Sequence, residues 1–445
     1  MMNFIERKIM PAAAKIGNQR HLLAIRDALI GMLAITMIGS FAVLINNLGG
    51  AIPGYDKLMI SLFGKTYKTL GGDIWWGTFA FMTVFLVVGI AYKLAKSYGD
   101  DGFEAMLVAL ASYFVLVPQT AKIEGVKDGV WGLLGVSYTN STALFTGIVV
   151  SIIATEIFVR LAKVKYLVIR LPEGVPPAVS RSFARLFPGM ITIFLIGLIG
   201  LLFRHATGGE YFNDWLNKVL VTPLTGAADS LGFAVLITTI IQFFWALGLH
   251  GSNIVAGITG PLLTNLGNAN IDLFAKGVTD LDQYHILAGP FLDVYVNLGG
   301  SGATIGLLIG LLIASKKRKQ MVALGMPPAL FQINEPVIFG MPIVLNPIWI
   351  IPFVITPAIM TVTAYLATAW GWVYPVVANV PWVTPPIIGG YLATGGHISG
   401  AIMAAVNFAI CIVAYFPFVM IQERMDQKKL NEVLKEQQEN TVNIS

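Results

Sequence analysis

Charge and sulfur are what this chain has least of. Of its 445 residues only 12% are Asp, Glu, Lys or Arg, and there is a single cysteine, Cys411. One cysteine excludes a disulfide within the chain, a cysteine-ligated zinc and an iron–sulfur cluster. Cys411 stands in the middle of an apolar run and reads as a small core residue. The charged fraction is about half that of an average soluble domain. The few Lys and Arg fall at the ends of apolar runs and not in one stripe, so the net charge of +5 does not point to nucleic acid. The sequence shows no His-Glu metal motif, no Arg-rich sensor helix and no ring of carboxylates for an ion path. Neither a metal nor a cofactor is expected. Without a soluble ATP-binding unit, pumping by this chain alone is excluded. The first 26 residues mix acidic, basic and polar side chains with no small-residue cleavage site, so they do not read as a signal peptide and the first helix is expected to be retained.

What fills the chain is apolar: 56% of residues, with a mean hydropathy of +0.74. Runs such as 28–45, 74–91 and 348–369 contain no charged residue and are long enough to cross roughly 30 Å of hydrocarbon. They are continuously apolar, whereas the strands of a β-barrel alternate. The chain reads as an all-α polytopic membrane protein. Because Lys and Arg gather in cytoplasmic loops, the crossings can be followed in order. Arg7, Lys8, Lys15, Arg20 and Arg26 put the N-terminus inside; crossings at 28–47, 74–91, 103–118 and 143–159 then alternate correctly, with an outer loop containing Glu124 and Asp128 and inner clusters at Lys93, Lys96 and Arg160 to Arg170. After crossings at 187–203 and 231–249, the inner cluster Lys316 to Lys319 requires, by parity, a hidden crossing at about 251–271 before the run at 286–314. There Gly257, Gly260, Pro261 and Gly267 mask the hydropathy. Segments 322–345 and 376–394 are broken by proline and glycine and read as re-entrant hairpins, flanked by crossings at 347–370 and 398–421. The expectation is about ten transmembrane helices plus two re-entrant hairpins, with both termini cytoplasmic.

The two halves differ. Residues 1–205 form simple apolar runs with one buried carboxylate, Glu156, and read as a scaffold. Residues 206–228, with Phe212, Trp215 and Leu216, form an amphipathic linker at the interface. Residues 229–421 are repeatedly broken, as in the substrate sites of transporters, where broken helices expose backbone to polar ligands. Residues 422–445 read as a cytoplasmic tail, either a frayed helix or disordered.

An ionised group at the bilayer centre costs at least about 2.5–3.5 kcal/mol and so needs a partner, a proton or a function. Glu335, after Asn334 and before the helix-breaking Pro336, reads either as a cap at a hairpin tip or as a functional carboxylate. His250 opens Gly251-Ser252-Asn253 at a helix break, where imidazole and amide meet exposed backbone, and reads as structural or as functional. His397, in Gly395-Gly396-His397, reads as interfacial. The run from Asn297 to Thr304 lacks the Lys-Ser or Lys-Thr ending of a P-loop. Asn297 and Gly300 therefore belong either to close helix packing or to exposed backbone along a ligand path. Asp293 and Asp229 read equally as helix caps. Trp245 and Trp382 lie in the broken half and read as sugar-stacking platforms or as packing, whereas Trp75, Trp76 and Trp215 fall at interfaces. Amides, one carboxylate, one imidazole and tryptophans describe a site for a neutral polyhydroxylated ligand and not for a permeant ion.

The run Pro172-Glu173-Gly174-Val175-Pro176-Pro177-Ala178-Val179, continuing through Ser182-Phe183 to Pro188, together with Asn334-Glu335-Pro336, resembles the membrane subunit, enzyme IIC, of the lactose, cellobiose and diacetylchitobiose family of the phosphotransferase system. The likeness covers essentially the whole chain. It implies a homodimeric permease of the bacterial inner membrane, dimerising through residues 1–205, that imports a β-linked disaccharide, most naturally diacetylchitobiose or cellobiose. A phosphocysteine on enzyme IIB phosphorylates the sugar. Because the chain ends about 25 residues after its last crossing and has no soluble cysteine, enzyme IIB is expected to be a separate protein, with this chain as the permease component. The resemblance gives Glu335 and His250 the positions beside the reacting hydroxyl, Asn334 and Asn253 further hydrogen bonds, and Trp382 the ring platform. The alternative is a proton- or sodium-coupled disaccharide symporter with Glu335 as the coupling group.

Overall fold

The computed structural model describes residue 15 and residues 18–50, 54–121, 130–169, 171–172, 174–315, 318–341 and 343–442. Among the residues invoked above, Arg7, Lys8, Glu124, Asp128, Arg170, Glu173, Lys316 and Lys317 lie outside them. Among the described residues the fold is helical apart from one short antiparallel pairing, Thr120–Ala121 with Val130–Trp131. Among the described residues, five helices are long and apolar enough to cross a membrane: Tyr67–Ser97, Ser141–Leu161, Val179–Ala206, Ile348–Ala369 and Ile398–Lys428. Counting two bent pairs, Arg20–Gly31 with Leu33–Asn47 and Phe212–Ala228 with Leu231–Ala246, raises this to seven. Phe103–Val115 and Ser301–Ala314 are shorter apolar helices. The segment read as a hidden crossing is one helix, Gly251–Ala275, with Pro261 inside it.

The chain divides into two compact units. The first comprises Met1–Asp229, Asn253–Asp280 and Val377–Asn379. Its core is built where Met82–Ser97, Phe103–Val115 and Leu144–Leu161 pack together, around Val87, Ala109, Tyr113, Val150 and Ala154. Tyr113 is fully buried and satisfies its hydroxyl on the Tyr138 carbonyl at 2.5 Å. Glu156 does not stand alone in the apolar 144–161 helix: it accepts from Tyr98 Oη at 2.5 Å, pairs with His21 Nε2 at 2.8 Å and with Arg160 Nη2 at 2.8 Å. That is the way a buried charge is tolerated. The glycines of the 251–275 helix serve contact: a Cβ on Gly257 would sit 2.7 Å from Leu22 Cβ, and one on Gly260 3.0 Å from Leu29.

The second unit comprises Ser230–Ser252, Leu281–Val376 and Val380–Ser445. Ile305–Ala314 packs on the long C-terminal helix, Ile398–Val442, and Leu231–Ala246 on Pro347–Ala369. Small residues set the spacing, because a Cβ on Gly306 would lie 2.4 Å from the Cys411 carbonyl oxygen. Asn407, fully buried in the C-terminal helix, donates to the carbonyls of Tyr295 at 2.8 Å and Met360 at 2.9 Å and accepts from Thr363 at 2.7 Å. The helix runs on past its apolar part through Val442, and Arg318 clasps its start through Asp426 at 2.5 Å and Glu423 at 3.4 Å.

Candidate functional site

The 322–345 segment folds as two helices, Lys319–Ala329 and Glu335–Gly340, joined by a turn at Leu330–Asn334. The turn requires Gln332 to adopt φ +66°. Ala303, Leu345 and Ile387 are the other non-glycine residues with left-handed φ among the described ones, and all four lie in the second unit. For a β-branched residue such as Ile387 this is a strained conformation, of the kind that surrounding packing has to hold in place.

Gln332 does much of that holding. Its buried side chain accepts from the amides of Gly299 at 2.8 Å and Gly300 at 3.3 Å, and donates to the carbonyls of Asp293 at 3.0 Å and Thr384 at 3.3 Å. One amide thus joins the hairpin to the glycine loop and to the turn that carries Trp382. Asn334, also buried, donates to the Ser301 carbonyl at 2.5 Å and to Thr304 Oγ1 at 3.0 Å. A Cβ on Gly300, which has φ +96°, would sit 2.4 Å from Asn334 Cγ, so only glycine permits this approach. Both amide protons of Asn334 are engaged, which leaves its carbonyl oxygen as the group for a ligand. Glu335 follows at the head of its short helix, exposed.

The far end of the hairpin is tied as well, Leu345 N donating to the Ala246 carbonyl at 2.9 Å. That carbonyl ends the helix whose last turns carry Gln242 and Trp245 and after which the chain turns through Gly248 to His250. The Trp245 ring is buried and lies 4.3 Å from the exposed imidazole of His250, tilted by 44°. Gln242 reaches Asn297 Oδ1 at 3.3 Å, and Asn297 reaches Asp293 Oδ1 at 3.4 Å. The second unit therefore brings Trp245, His250, Asn297, Gly300, Asn334 and Glu335 into one linked assembly, with Trp382 half-exposed on the turn held by Gln332. Asn253 is exposed in the first turn of the Gly251–Ala275 helix and falls in the first unit. His397 stacks in parallel on Tyr374, ring centres 3.8 Å apart, and burial lowers its pKa.

Two atoms of the assembly are buried with no hydrogen-bond partner among the described residues, Gln242 Oε1 and Trp245 Nε1. An unmet buried polar group costs about 1–3 kcal/mol. An acceptor and a donor one helical turn apart, beside His250, suit a ligand that both donates and accepts, as a hydroxyl does. Sequence reasoning missed Gln332 and Gln242. The signal available was the same one that singled out Glu335, a polar side chain inside an apolar run. Among the described residues no cluster of His, Cys, Asp and Glu has metal-binding geometry. Cys411 is fully buried and donates to the Phe408 carbonyl at 3.0 Å, out of reach of group-transfer chemistry.

Comparison with known proteins matches residues 26–357 to the family described as "Phosphotransferase system, EIIC". The lichenan permease IIC component of Bacillus subtilis (strain 168) is 39% identical over 438 residues, 96% of this chain and 95% of that protein. The cellobiose-specific EIIC component of Geobacillus stearothermophilus is 36% identical, over 95% of this chain and 94% of its own. The crystal structure of the transporter ChbC, the IIC component from the N,N'-diacetylchitobiose-specific phosphotransferase system, superposes with a TM-score of 0.90 at 38% identity, covering 96% of this chain and 99% of that one.

Proposed function

The chain belongs to the phosphotransferase system EIIC family, and from that premise we propose that it imports a β-linked disaccharide, cellobiose or diacetylchitobiose, across a bacterial inner membrane for phosphorylation by a separate enzyme IIB. Membership makes it a multi-pass membrane permease that takes a sugar and works with an enzyme IIB. The observation that carries the finer reading is the hydroxyl-matched pair of unmet buried atoms, Gln242 Oε1 and Trp245 Nε1, in the assembly that also holds His250 and Glu335. The names of the relatives given above support the disaccharide class.

Chemically, the IIB phosphocysteine gives its phosphoryl group to a sugar hydroxyl oxygen, the P–S bond breaking and the thiolate leaving. The hydroxyl proton needs an acceptor, and that role is assigned to Glu335, supported by its exposed carboxylate at the head of a pinned hairpin. His250, backed by the Trp245 ring, orients the hydroxyl. Asn297, the Gly300 backbone, the Asn334 oxygen and Asn253 supply hydrogen bonds, and Trp382 stacks on the sugar's apolar face. Residues 229–421 are the transport part; residues 1–205 are the scaffold and the dimer contact; residues 206–228 are the interfacial linker and 422–445 a cytoplasmic tail. Both termini face the cytoplasm, supported by the basic ends of the helices. A cysteine placed at Lys319 is expected to react with an impermeant maleimide only from the cytoplasmic side; reaction from outside reverses the orientation.

The rival reading is a symporter. Proteoliposomes holding the protein alone are expected to equilibrate labelled cellobiose or diacetylchitobiose slowly and to accumulate sugar phosphate only when phosphorylated enzyme IIB is supplied. Accumulation of unmodified sugar under a proton or sodium gradient, without IIB, would establish the symporter in its place.

A further inference from the structure

The first unit contains two adjoining cavities, of about 460 and 400 Å³, that share Asp272 and Lys276 in their walls. Each is within the size range of small-molecule sites. Both open at the helix ends opposite those that carry Lys96 and Arg160: Ser141 and Thr142, just ahead of the 144–161 helix, line one, and Lys68, near the start of the Tyr67–Ser97 span, lines the other. With basic ends cytoplasmic, these cavities face outside. That placement rests on the orientation proposed above; the chemistry of the cavities does not.

Their walls share one peculiarity. Asn46 and Asn47 line the first cavity, Asn217 and Asn265 the second. Each of the four points its amide nitrogen at a backbone carbonyl: Asn46 at Lys68 O (2.9 Å), Asn47 at Val43 O (2.9 Å), Asn217 at Asn213 O (3.0 Å) and Asn265 at Ser141 O (2.9 Å). A carbonyl only accepts, so in every case the NH₂ end is the one turned to the backbone, and the side-chain oxygen is left for the cavity. Asp272 adds a carboxylate shared by both. Gly71 makes room for Asn46, since a Cβ there would lie 2.3 Å from Asn46 Nδ2. The first cavity also holds the Trp75 ring. Its indole nitrogen is buried and lies beside Asp272.

A wall of acceptor oxygens with an aromatic ring at one end matches a ligand rich in hydroxyl donors with an apolar ring face. An anion is disfavoured by five acceptors against Lys68 and Lys276, and an apolar ligand leaves them all unmet. We propose that these two cavities form a second carbohydrate-binding site, contained wholly within the first unit, in which an unmodified disaccharide or oligosaccharide is held by the amide oxygens and Asp272, with one ring against Trp75. Facing outside, it takes up sugar ahead of the transport site.

The test is equilibrium binding of labelled cellobiose to the full chain in phosphatidylcholine nanodiscs, which leave both faces open and contain no glycolipid headgroup. The wild type is expected to bind in two phases, the weaker from this site. Asn47→Leu and Asn217→Leu each remove a hydrogen bond made only within their own helix, so the fold should persist, with an unchanged melting temperature. Together they should lower affinity in the weaker phase at least tenfold and raise several-fold the outside sugar concentration needed for half-maximal uptake. If that double variant melts early, Trp75→Phe serves instead: it keeps the ring, drops the indole N–H, and should abolish the cellobiose-induced fluorescence change of the weaker phase. A single phase in the wild type with the Glu335 site occupied, or a weaker phase untouched by folded variants, overturns the proposal. A weaker phase that these variants abolish, in a protein lacking the tighter one, supports this site while overturning the disaccharide reading of the transport unit.

Discussion

Glu335→Gln is expected to lower IIB-dependent sugar phosphorylation about 100-fold or more while leaving disaccharide binding within about 1 kcal/mol of wild type. The amide keeps the shape and one acceptor oxygen, so ground-state hydrogen bonding persists. It cannot take a proton, so the step that develops charge on the sugar oxygen suffers. The side chain stands exposed at the head of the Glu335–Gly340 helix, and no tertiary packing is expected to change with it. His250→Ala differs: it removes the orienting imidazole and bares the Trp245 ring 4.3 Å away, so binding and phosphorylation should fall together. Trp382→Ala should weaken binding by about 1–2 kcal/mol if the half-exposed ring stacks on the sugar, with the rate from bound sugar little altered. Trp76, 52% exposed and far along the chain, is the control whose replacement by alanine should change neither. Titration calorimetry and single-turnover phosphorylation separate these outcomes. Wild-type phosphorylation by the Glu335→Gln variant removes the proton-acceptor role.

The membrane fold was legible because hydropathy and charge placement are one-dimensional signals, readable wherever a helix meets lipid. Hydropathy weakened where a helix meets protein. In the 251–275 segment Gly257 and Gly260 masked the apolar signal and only charge parity revealed the crossing; there the two glycines are the surface on which Leu22 and Leu29 pack, and the helix is continuous. Glu156 stood out as a buried carboxylate; its partner Arg160 is one turn on, but His21 and Tyr98 are distant in sequence. Of the site, the hairpin carboxylate and the His250 break were visible as polar groups in apolar runs. What the sequence did not show was division of labour among the amides. Asn334 drew attention as a ligand-binding group, yet its protons hold Ser301 and Thr304; Gln332, two residues earlier, passed as part of the motif although it bonds to three separate segments. Trp75 read as an interfacial belt residue; what the sequence did not show is that it also lines a cavity, with its indole nitrogen buried. For the amides, and for His21 and Tyr98 at Glu156, the partner comes from elsewhere in the chain, and nothing local encodes it.

Gln332→Glu should therefore be among the most damaging single-atom-scale changes in the protein. The carboxylate keeps the length and branching of the amide, and Gln332 is only 7% exposed, so no cavity opens. Its oxygens can still accept from Gly299 and Gly300. The other end now meets the carbonyls of Asp293 and Thr384 with an acceptor where a donor stood, 3.0 and 3.3 Å away. Acceptor faces acceptor in a buried turn, and either the charge stays unpaired or the group is held protonated. An unmet buried group costs about 1–3 kcal/mol, and here there are two, so a loss of about 2–6 kcal/mol in stability is expected, read as an early melt in detergent. The φ of +66° is unaffected by the exchange, which isolates hydrogen bonding from backbone strain. Since Thr384 belongs to the turn carrying Trp382, sugar binding should fall as well. Adding Trp382→Ala to Gln332→Glu should then cost less in affinity than the two single losses combined, the mark of residues acting through one arrangement. Wild-type melting and full additivity would mean that the turn and the hairpin stand without the bridge, and that the ring platform is positioned by other contacts.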